Sequence, residues 1–246
     1  MGAKVRIDQL MVTMGLAPTR AKAQALLLAG DVYANGVRID KAGTLVSDAC
    51  ALEVRNAACA YVSRGGLKLE GALKHFAIEV QGKRCLDVGA STGGFTDCLL
   101  QHGAAEVIAV DVGYGQLAQK LRIDPRVQSL ERTNARFLEP SQLGGQVDLC
   151  VVDASFIGLG KLAEALSRCV RDEGTLVALI KPQFEAGRAE VSRGRGVIGD
   201  PTVRNKAIET ALLDVQRAGF RILETCDSVL AGPKGNLEAF AHAVRQ

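Results

Sequence analysis

The chain has 246 residues, of which 48% are hydrophobic and 23% charged, and its formal net charge is +3. This composition excludes a disordered or fibrous protein, and the length leaves room for one large domain or two unequal ones. No apolar run reaches the ~18 residues that a membrane helix needs, and charged residues interrupt the N-terminal stretch where a secretory signal would be apolar. We therefore expect a soluble, cytoplasmic protein.

The cysteines and histidines do not have the spacing of a metal site. Seven cysteines include no C-x-x-C pair, and the three histidines are scattered along the chain. Cys85 and Cys150 lie in apolar, strand-like runs, which favours small buried thiols in a reducing compartment over metal ligands. We expect no metal cofactor. The absence of Trp argues against base-stacking platforms like those of RNA-recognition motifs.

Residues 1–54 are predicted to form a small α/β unit. Apolar residues recur with helical spacing over Arg6–Met14 and again over Arg20–Ala29. Asn35-Gly36 lies between two short apolar runs, which is the strongest local signal for a β-hairpin. Residues 55–60 have no periodicity and are predicted to be a linker.

Residues 61–246 alternate between strand-like and helix-like segments. The β-rich runs are Arg84–Val88, Glu106–Val110, Val147–Val152 and Thr175–Ile180, and helical patterns follow at Gly93–His102, Gly115–Leu121, Leu159–Val170 and Pro201–Ala218. This order predicts an α/β fold with a doubly wound, Rossmann-like sheet. Two last strands, Phe220–Asp227 and Leu237–Val244, are joined by too short a segment for a parallel crossover, so we expect an antiparallel hairpin at the sheet edge.

A loop rich in small residues connects the first strand of this sheet to its helix. Its spacing, G-x-x-x-G-G with an acid two residues before the first glycine, is not the dinucleotide fingerprint G-x-G-x-x-G. A carboxylate at Asp87 suits a cationic ligand better than a pyrophosphate, and Asp111 ends the next strand, where it can accept from ribose hydroxyls. S-adenosylmethionine is therefore favoured over NAD, the alternative being a turn without a ligand. The predicted cofactor residues are Asp87, Gly89, Ser91, Gly93, Gly94, Phe95 and Asp111.

Four charged residues are predicted to meet at one edge of the sheet. Asp153 and Lys181 directly follow apolar strands, so they emerge where open α/β sheets bind ligands. Glu238 opens the antiparallel last strand and therefore begins at the same edge, and Lys68 precedes the first strand on a short helix. The alternative is four separate solvated charges.

These patterns resemble a known family. The loop at residues 87–95 and the set Lys68, Asp153, Lys181 and Glu238 resemble the FtsJ-type ribose 2′-O-methyltransferases. The whole chain resembles the TlyA family, ribosomal RNA methyltransferases named for haemolysis, through Tyr61–Leu69, Val152–Phe156, Leu179–Glu185 and Gly232–Asn236. The first unit resembles the RNA-binding domain of small-subunit ribosomal protein four through Arg6–Leu10, Arg20–Lys22 and Val32–Gly36.

The resemblance implies an RNA-binding domain at 1–54 and an S-adenosylmethionine-dependent methyltransferase domain at 61–246. It implies a ribose 2′-hydroxyl of ribosomal RNA as substrate, with ribosomal subunits as partners and no membrane. Lys181 is the candidate base, and Asp153, Glu238 and Lys68 orient the reacting groups. By the same analogy Asn134 lies near the adenine of the cofactor. The sequence leaves open whether Lys181 is charged before reaction.

Basic residues in both parts are candidates for RNA phosphate contacts, which position a substrate without reading its sequence. The segment 187–195 carries three arginines against one acid, and its alternative interpretation is a solvated loop. The predicted RNA-binding residues are Arg6, Arg20, Lys22, Arg64, Arg188, Arg193 and Arg195.

Two other functions are consistent with parts of the sequence. A cytolysin is suggested by the family's historical name, but no strongly cationic amphipathic helix is evident. An RNA-binding protein with an inactive methyltransferase fold is the other, and the intact charged set and loop count against it.

Overall fold

The computed structural model describes residues 4–17, 19–54, 60–194, 196–232 and 235–246. The chain divides into two compact units, Met1–Cys59 and Ala60–Gln246. Within the described ranges, no helix combines the length and apolarity needed to cross a membrane. The same residues contain no group of three side chains suited to holding a metal ion. Residues 55–59 of the predicted linker lie outside the described residues.

The first unit combines two helices with short strands. Its elements are β1 (Lys4–Arg6), α1 (Ile7–Thr13), α2 (Arg20–Ala29), β2 (Val32–Ala34), β3 (Val37–Ile39), β4 (Leu45–Ser47) and β5 (Leu52–Val54). The predicted hairpin is confirmed: β2 and β3 pair antiparallel, and Asn35 and Gly36 between them both have positive φ. The antiparallel pair of β1 and β4 was not predicted, because three-residue strands are too short to show periodicity.

The two predicted helices of this unit are confirmed, and they pack on a small apolar core. Thr19 caps α2 by accepting a hydrogen bond from the Lys22 N–H, and Gly30 ends the helix in the left-handed conformation. The core includes Ile7, Met11, Ala23, Leu27 and Val32, all fully buried.

The second unit contains the larger sheet. Its elements are α3 (Gly65–His75), β6 (Arg84–Val88), α4 (Gly94–Gln101), β7 (Glu106–Val110), α5 (Gln119–Arg122), β8 (Val127–Leu130), α6 (Pro140–Leu143), β9 (Val147–Val152), α7 (Gly160–Cys169), β10 (Val170–Ile180), α8 (Pro182–Glu185), α9 (Arg188–Arg193), α10 (Pro201–Arg217), β11 (Phe220–Asp227) and β12 (Ala239–Arg245). A single 3₁₀ turn spans Ala135–Phe137.

Among the described strands, seven form one sheet in the order β11-β12-β10-β9-β6-β7-β8. The five strands from β10 to β8 are parallel, whereas β12 is antiparallel to both of its neighbours. This confirms the doubly wound sheet with a terminal antiparallel hairpin. Val152 pairs with Val88 and with Ala178, and Ile180 pairs with Ala239. The register therefore brings the ends of β6, β9 and β10 and the start of β12 to one edge.

The core of this unit lies on the sheet and under its helices. Leu86, Ile108, Cys150 and Leu166 are fully buried in it, and each aliphatic side chain of this kind contributes about 1.5–3 kcal/mol on burial. Cys85 and Cys150 are buried free thiols, as predicted.

The short helices α6, α8 and α9 were not predicted, and three further elements of this unit differ from the sequence-based predictions. The helix expected at Gly115–Leu121 is a single turn, Gln119–Arg122, because neither the φ of +69° at Gly115 nor the ψ of 138° at Ala118 is compatible with a helix. The strand Val127–Leu130 was not predicted, since this edge strand is short and half polar. Strand β10 begins at Val170, five residues early, across an irregularity before Thr175.

Candidate active site

Lys181 and Asp153 form an ion pair at the ends of two neighbouring parallel strands. The Lys181 Nζ lies 2.5 Å from Oδ1 of Asp153, and it donates hydrogen bonds to the Ser155 hydroxyl at 2.9 Å and the Asp153 carbonyl at 3.3 Å. Two of these oxygens, the hydroxyl and the carbonyl, accept hydrogen bonds from Nζ, whereas the Asp153 Oδ1 contact is an ion pair without hydrogen-bond geometry. Only 8% of Lys181 is exposed, so the side chain is held in one position at the sheet edge.

Lys68 and Glu238 form a second ion pair, which is more deeply buried. The Lys68 Nζ, on α3, lies 2.5 Å from Oε2 of Glu238, which directly precedes β12. Glu238 is 1% exposed, and its other oxygen, Oε1, is buried without a hydrogen-bond partner among the described residues. A buried acceptor without a partner is costly, and this one marks a place where a hydroxyl group could donate.

The strand register relates the two pairs. Glu238 is adjacent to Ala239, which lies opposite Ile180, and Lys181 follows Ile180. Each buried cation therefore has its own carboxylate, as buried charges require, and the four charges sum to zero. An edge with two fixed lysine side chains and an unused carboxylate oxygen can bind a hydroxyl, and a lysine in its neutral amine form can accept the hydroxyl proton there.

Asp87 lies on β6 and is fully buried. The Thr96 hydroxyl donates to its Oδ2 at 2.6 Å, while Oδ1 has no hydrogen-bond partner among the described residues. Burial raises the pKa of this carboxyl to about 7. A half-satisfied, desolvated acid of this kind is stabilised in its ionised form when a cation binds beside it.

Asp111 directly follows β7 and organises the adjoining loops. Its Oδ2 accepts from the Ser91 N–H at 2.8 Å and its Oδ1 from the Gly113 N–H at 2.7 Å. A pocket opens at this point between the ends of β6, β7 and β8. It is lined by Ala90, Ser91, Ala109, Asp111, Gly113, Gln116, Leu117, Ser129 and Glu131.

Two glycines of the predicted loop allow close packing against neighbouring segments. Gly89 has a φ of +87°, and a Cβ there would lie 2.8 Å from the Asp153 carbonyl oxygen. A Cβ at Gly94 would collide with the Ser63 hydroxyl in the segment that leads into α3. The missing side chains therefore let the loop contact the segments that carry Asp153 and Lys68.

The chain matches two family models. Residues 61–245 match the model of the FtsJ-like methyltransferases, and residues 5–49 match the S4 domain. The chain belongs to the FtsJ-like methyltransferase family. Over 241 residues it is 49% identical to the 16S/23S rRNA (cytidine-2′-O)-methyltransferase TlyA of Mycobacterium tuberculosis, covering 98% of this chain and 90% of that relative.

Other relatives of this FtsJ-like enzyme carry a haemolysis name. Hemolysin A of Brachyspira hyodysenteriae is 42% identical, covering 98% of this chain and all of that protein. A solved Streptococcus thermophilus structure, also named for haemolysis, aligns with a TM-score of 0.78 at 41% identity, over all of this chain and 90% of that one. The chain is therefore a member of the TlyA group, as the sequence resemblance predicted.

Three of the predicted cofactor residues of this FtsJ-like domain have packing, capping or backbone roles within the protein. Phe95 is buried and stacks on Phe240, with ring centroids 6.2 Å apart. Asn134 is exposed, and its side chain accepts from the Arg136 N–H to cap the 3₁₀ turn. Gly93 ends the loop in the left-handed conformation before α4.

The predicted RNA-binding residues of the second unit lie in three places. Arg64 is half-buried immediately before α3. Arg188 and Arg193 are the first and last residues of α9, which lies in the segment predicted to be a loop. Arg195 lies outside the described residues.

In the S4 domain, two of the predicted arginines bind an internal acid. Arg6 and Arg20 both donate to the buried carboxylate of Asp8. Lys22 is exposed in the first turn of α2.

Sequence reasoning missed two kinds of site residue. Ser155, a ligand of the Lys181 ammonium, lies two residues beyond Asp153, and its place in the loop after β9 was the available signal. Gln116 and Glu131 line the pocket beside Asp111. Glu131 could not be placed, because the strand that precedes it was not recognised.

Proposed function

We propose that this TlyA-group enzyme transfers a methyl group from S-adenosylmethionine to a ribose 2′-hydroxyl of ribosomal RNA. The observation that carries the proposal is the pair of buried ion pairs, Lys181–Asp153 and Lys68–Glu238, at the sheet edge that also carries Asp87. Its relative TlyA of Mycobacterium tuberculosis is named for this chemistry on 16S and 23S rRNA. We propose the domain bounds 1–54 for RNA binding and 61–246 for methyl transfer.

The residues present fit S-adenosylmethionine. The buried Asp87 Oδ1 without a hydrogen-bond partner is suited to the ammonium group of the methionine part. The Gly89–Gly93 loop gives the backbone close access, and Asp111 is placed to accept from ribose hydroxyls in the pocket between β6 and β8. Gln116 and Glu131 line the same pocket. When bound, the cofactor supplies a methyl group on a positively charged sulfur, from which it can be displaced.

The protein's part in the reaction follows from the two ion pairs. A ribose hydroxyl attacks poorly unless its proton leaves, and the proposed acceptor of that proton is the lone pair of Lys181 Nζ in its neutral amine form, which becomes the ammonium as the proton is taken up. Asp153 and Ser155 hold Nζ in place through its N–H groups. The free Oε1 of Glu238 is the proposed acceptor that orients the hydroxyl, and the contact with Lys68 fixes the position of that carboxylate.

The proposed RNA contacts come from both domains. The S4 domain supplies Arg6, Arg20 and Lys22, and the methyltransferase domain supplies Arg64 and the basic segment 187–195. A ribosomal RNA substrate, presented in ribosomal subunits, places the reaction in the cytoplasm. Asn134 is proposed to contact the adenine of the cofactor. Its side chain also caps the 3₁₀ turn, which fixes the position of this segment.

The test is methyl transfer from labelled S-adenosylmethionine to ribosomal subunits isolated from cells that lack this protein. We expect label in ribosomal RNA, at ribose 2′ positions that resist alkaline cleavage. A Lys181→Ala variant is the control for contaminating activity. Absence of transfer to both subunits and to free ribosomal RNA would refute the proposal.

The haemolysis name carried by some relatives is addressed with the same preparation. Liposomes loaded with a fluorescent dye should retain it in the presence of the purified protein. Dye release by wild-type protein and by the Lys181→Ala variant alike, without methyl transfer, would favour a cytolysin.

A further inference from the structure

Asp8 is the centre of a buried polar cluster in the S4 domain. It is 0% exposed and lies on α1 between Ile7 and the apolar residues that follow. Its carboxylate accepts from Arg6 through two guanidinium nitrogens at 3.1 Å each, from Arg20 Nε at 2.8 Å and from Gln24 Nε2 at 3.1 Å. One carboxylate therefore fixes three side chains from two places in the unit, Arg6 before α1 and the pair Arg20 and Gln24, one turn apart on α2.

The two arginines are held at one edge only. The contact with Arg20 uses Nε and leaves both terminal nitrogens outside it, and the contact with Arg6 leaves Nη1 outside it. Their side chains remain 41% and 49% exposed, respectively. Each guanidinium thus presents donors toward solvent while its inner edge is bonded to Asp8.

This geometry is that of a prepared phosphate contact. A guanidinium binds phosphate through a planar fork, and a long side chain loses much conformational freedom when it adopts one orientation. Bonding to Asp8 removes that freedom when the domain folds rather than when RNA binds. The carboxylate is firmly ionised, because the hydrogen bond from Arg6 holds the pKa of Asp8 well below its usual range.

We propose that Asp8 is a positioning residue for RNA binding, which aims the guanidinium groups of Arg6 and Arg20 at substrate phosphates. The inference rests on the proposed function, since it assumes that this domain binds the substrate RNA. Asp8 is negatively charged and repels phosphate, so removal of its charge alone would strengthen RNA binding. The positioning role predicts the opposite, that loss of Asp8 weakens RNA binding.

Asp8→Asn separates the two effects. The amide keeps the size of the side chain but offers one acceptor, and its NH₂ group faces the donors of Arg6, Arg20 or Gln24. Loss of orientation predicts about tenfold weaker binding to ribosomal RNA. Removal of a negative charge alone predicts tighter binding. Asp48→Asn, at an exposed acid of the same unit, is the matched control for charge.

The measurement is equilibrium binding of the full-length protein to purified ribosomal RNA at several salt concentrations, together with single-turnover methyl transfer. We expect Asp8→Asn to raise the RNA concentration needed for half-maximal rate and to leave the rate at saturating RNA unchanged. In an Arg6→Met, Arg20→Met background, Asp8→Asn should cause no further loss, since no guanidinium remains to be aimed. A purely structural role would instead lower the free energy of unfolding of Asp8→Asn together with its methyl-transfer rate at saturating RNA, and denaturant unfolding measures the first of these.

Arg20→Lys keeps the test informative if Asp8→Asn does not fold. An ammonium group retains the charge but not the fork, so we expect most of the affinity loss seen with Arg20→Met. Unchanged or tighter RNA binding by Asp8→Asn, or wild-type affinity of Arg20→Lys, would overturn the inference. Failure of the proposed function has a different signature: wild-type protein would transfer no methyl group, whatever the result at Asp8.

Discussion

At the residue scale, the site depends on buried charges whose partners come from distant parts of the chain. Lys68 and Glu238 are separated by 170 residues, and Lys181 and Ser155 by 26. Breaking a buried pair by removing one partner leaves an uncompensated charge and costs about 3–5 kcal/mol. Substitutions that keep charge or shape are therefore the informative ones.

Lys181→Arg tests the role of the proposed base. A guanidinium keeps the positive charge but does not give up a proton in a protein, so we expect a loss of at least about 10²-fold in methyl-transfer rate. Lys181→Ala should be similarly slow, and both variants should still bind RNA and S-adenosylmethionine. Single-turnover transfer at saturating RNA is the measurement, with the exposed Lys161→Arg as control. Near-wild-type turnover of Lys181→Arg would contradict the general-base role.

Asp87→Asn tests how the buried carboxyl makes the stability of the protein depend on pH. The folded protein keeps a proton on Asp87 up to about pH 7, whereas the unfolded chain releases it near pH 3.8, so this residue's contribution to stability declines as pH rises between these values. We expect the variant to be more stable by about 1–3 kcal/mol at pH 8, measured by denaturant unfolding.

The same residue should make cofactor binding depend on pH in the opposite sense. A cationic ligand binds the ionised carboxylate, so affinity for S-adenosylmethionine should fall as pH falls below about 7. Calorimetry across pH 6–8 should show this trend in the wild type and a weak, pH-independent affinity in Asp87→Asn. Equal affinities in the two proteins would refute the assignment of Asp87 to the cofactor.

At the scale of elements, the loop between β6 and α4 lies between the pocket beside Asp111 and the Lys181–Asp153 ion pair. Gly89 packs against the backbone of Asp153, and its N–H donates to the carbonyl of Val110 at the end of β7. One short loop is thus in contact with the ends of both neighbouring strands. Its shape therefore influences where Asp153 and Asp111 lie.

Gly89→Ala should separate this contact from simple backbone strain. The new Cβ would press on the Asp153 carbonyl, so we expect lower cofactor affinity and a methyl-transfer rate reduced by about tenfold or more, beyond a destabilisation of about 1–2 kcal/mol. Gly82→Ala is the matched control, since Gly82 has a similar φ of +72° with open space around its Cβ position. Equal rates in the two variants would mean that the contact with Asp153 has no role.

At the scale of the whole molecule, the chain consists of two units with separate cores. The Ala60 carbonyl accepts from Gln101 and belongs to the second unit, which makes residue 59 a suitable end for a truncation. The ion pairs, Asp87 and the pocket beside Asp111 all lie in the second unit.

Deleting residues 1–59 should therefore preserve cofactor binding and lose RNA modification. Phosphate contacts from the first unit supply affinity that falls steeply with salt, so we expect the full-length protein to show a larger salt slope than the truncated one. Calorimetry with S-adenosylmethionine and methyl transfer to ribosomal subunits are the two measurements. Full-rate modification by the truncated protein would show that the S4 domain is not the substrate anchor.

The sequence by itself determined the fold class, the hairpin at Asn35-Gly36, the strands that end just before Asp153 and Lys181, and the antiparallel end of the sheet. These follow from local turn chemistry and from apolar runs long enough to have a period. It did not determine β8 or the short helix at Gln119–Arg122, whose few residues carry too little pattern.

Only the tertiary structure decided how the charges are paired. Lys181 contacts Asp153 and Ser155, and Lys68 contacts Glu238. Arg6 and Arg20, which the sequence predicted to contact RNA, donate hydrogen bonds to Asp8. Burial and hydrogen-bond direction depend on elements far apart in the chain, and no local pattern encodes them. For this reason the sequence named the charged residues of the site, while the fold assigned each one its partner.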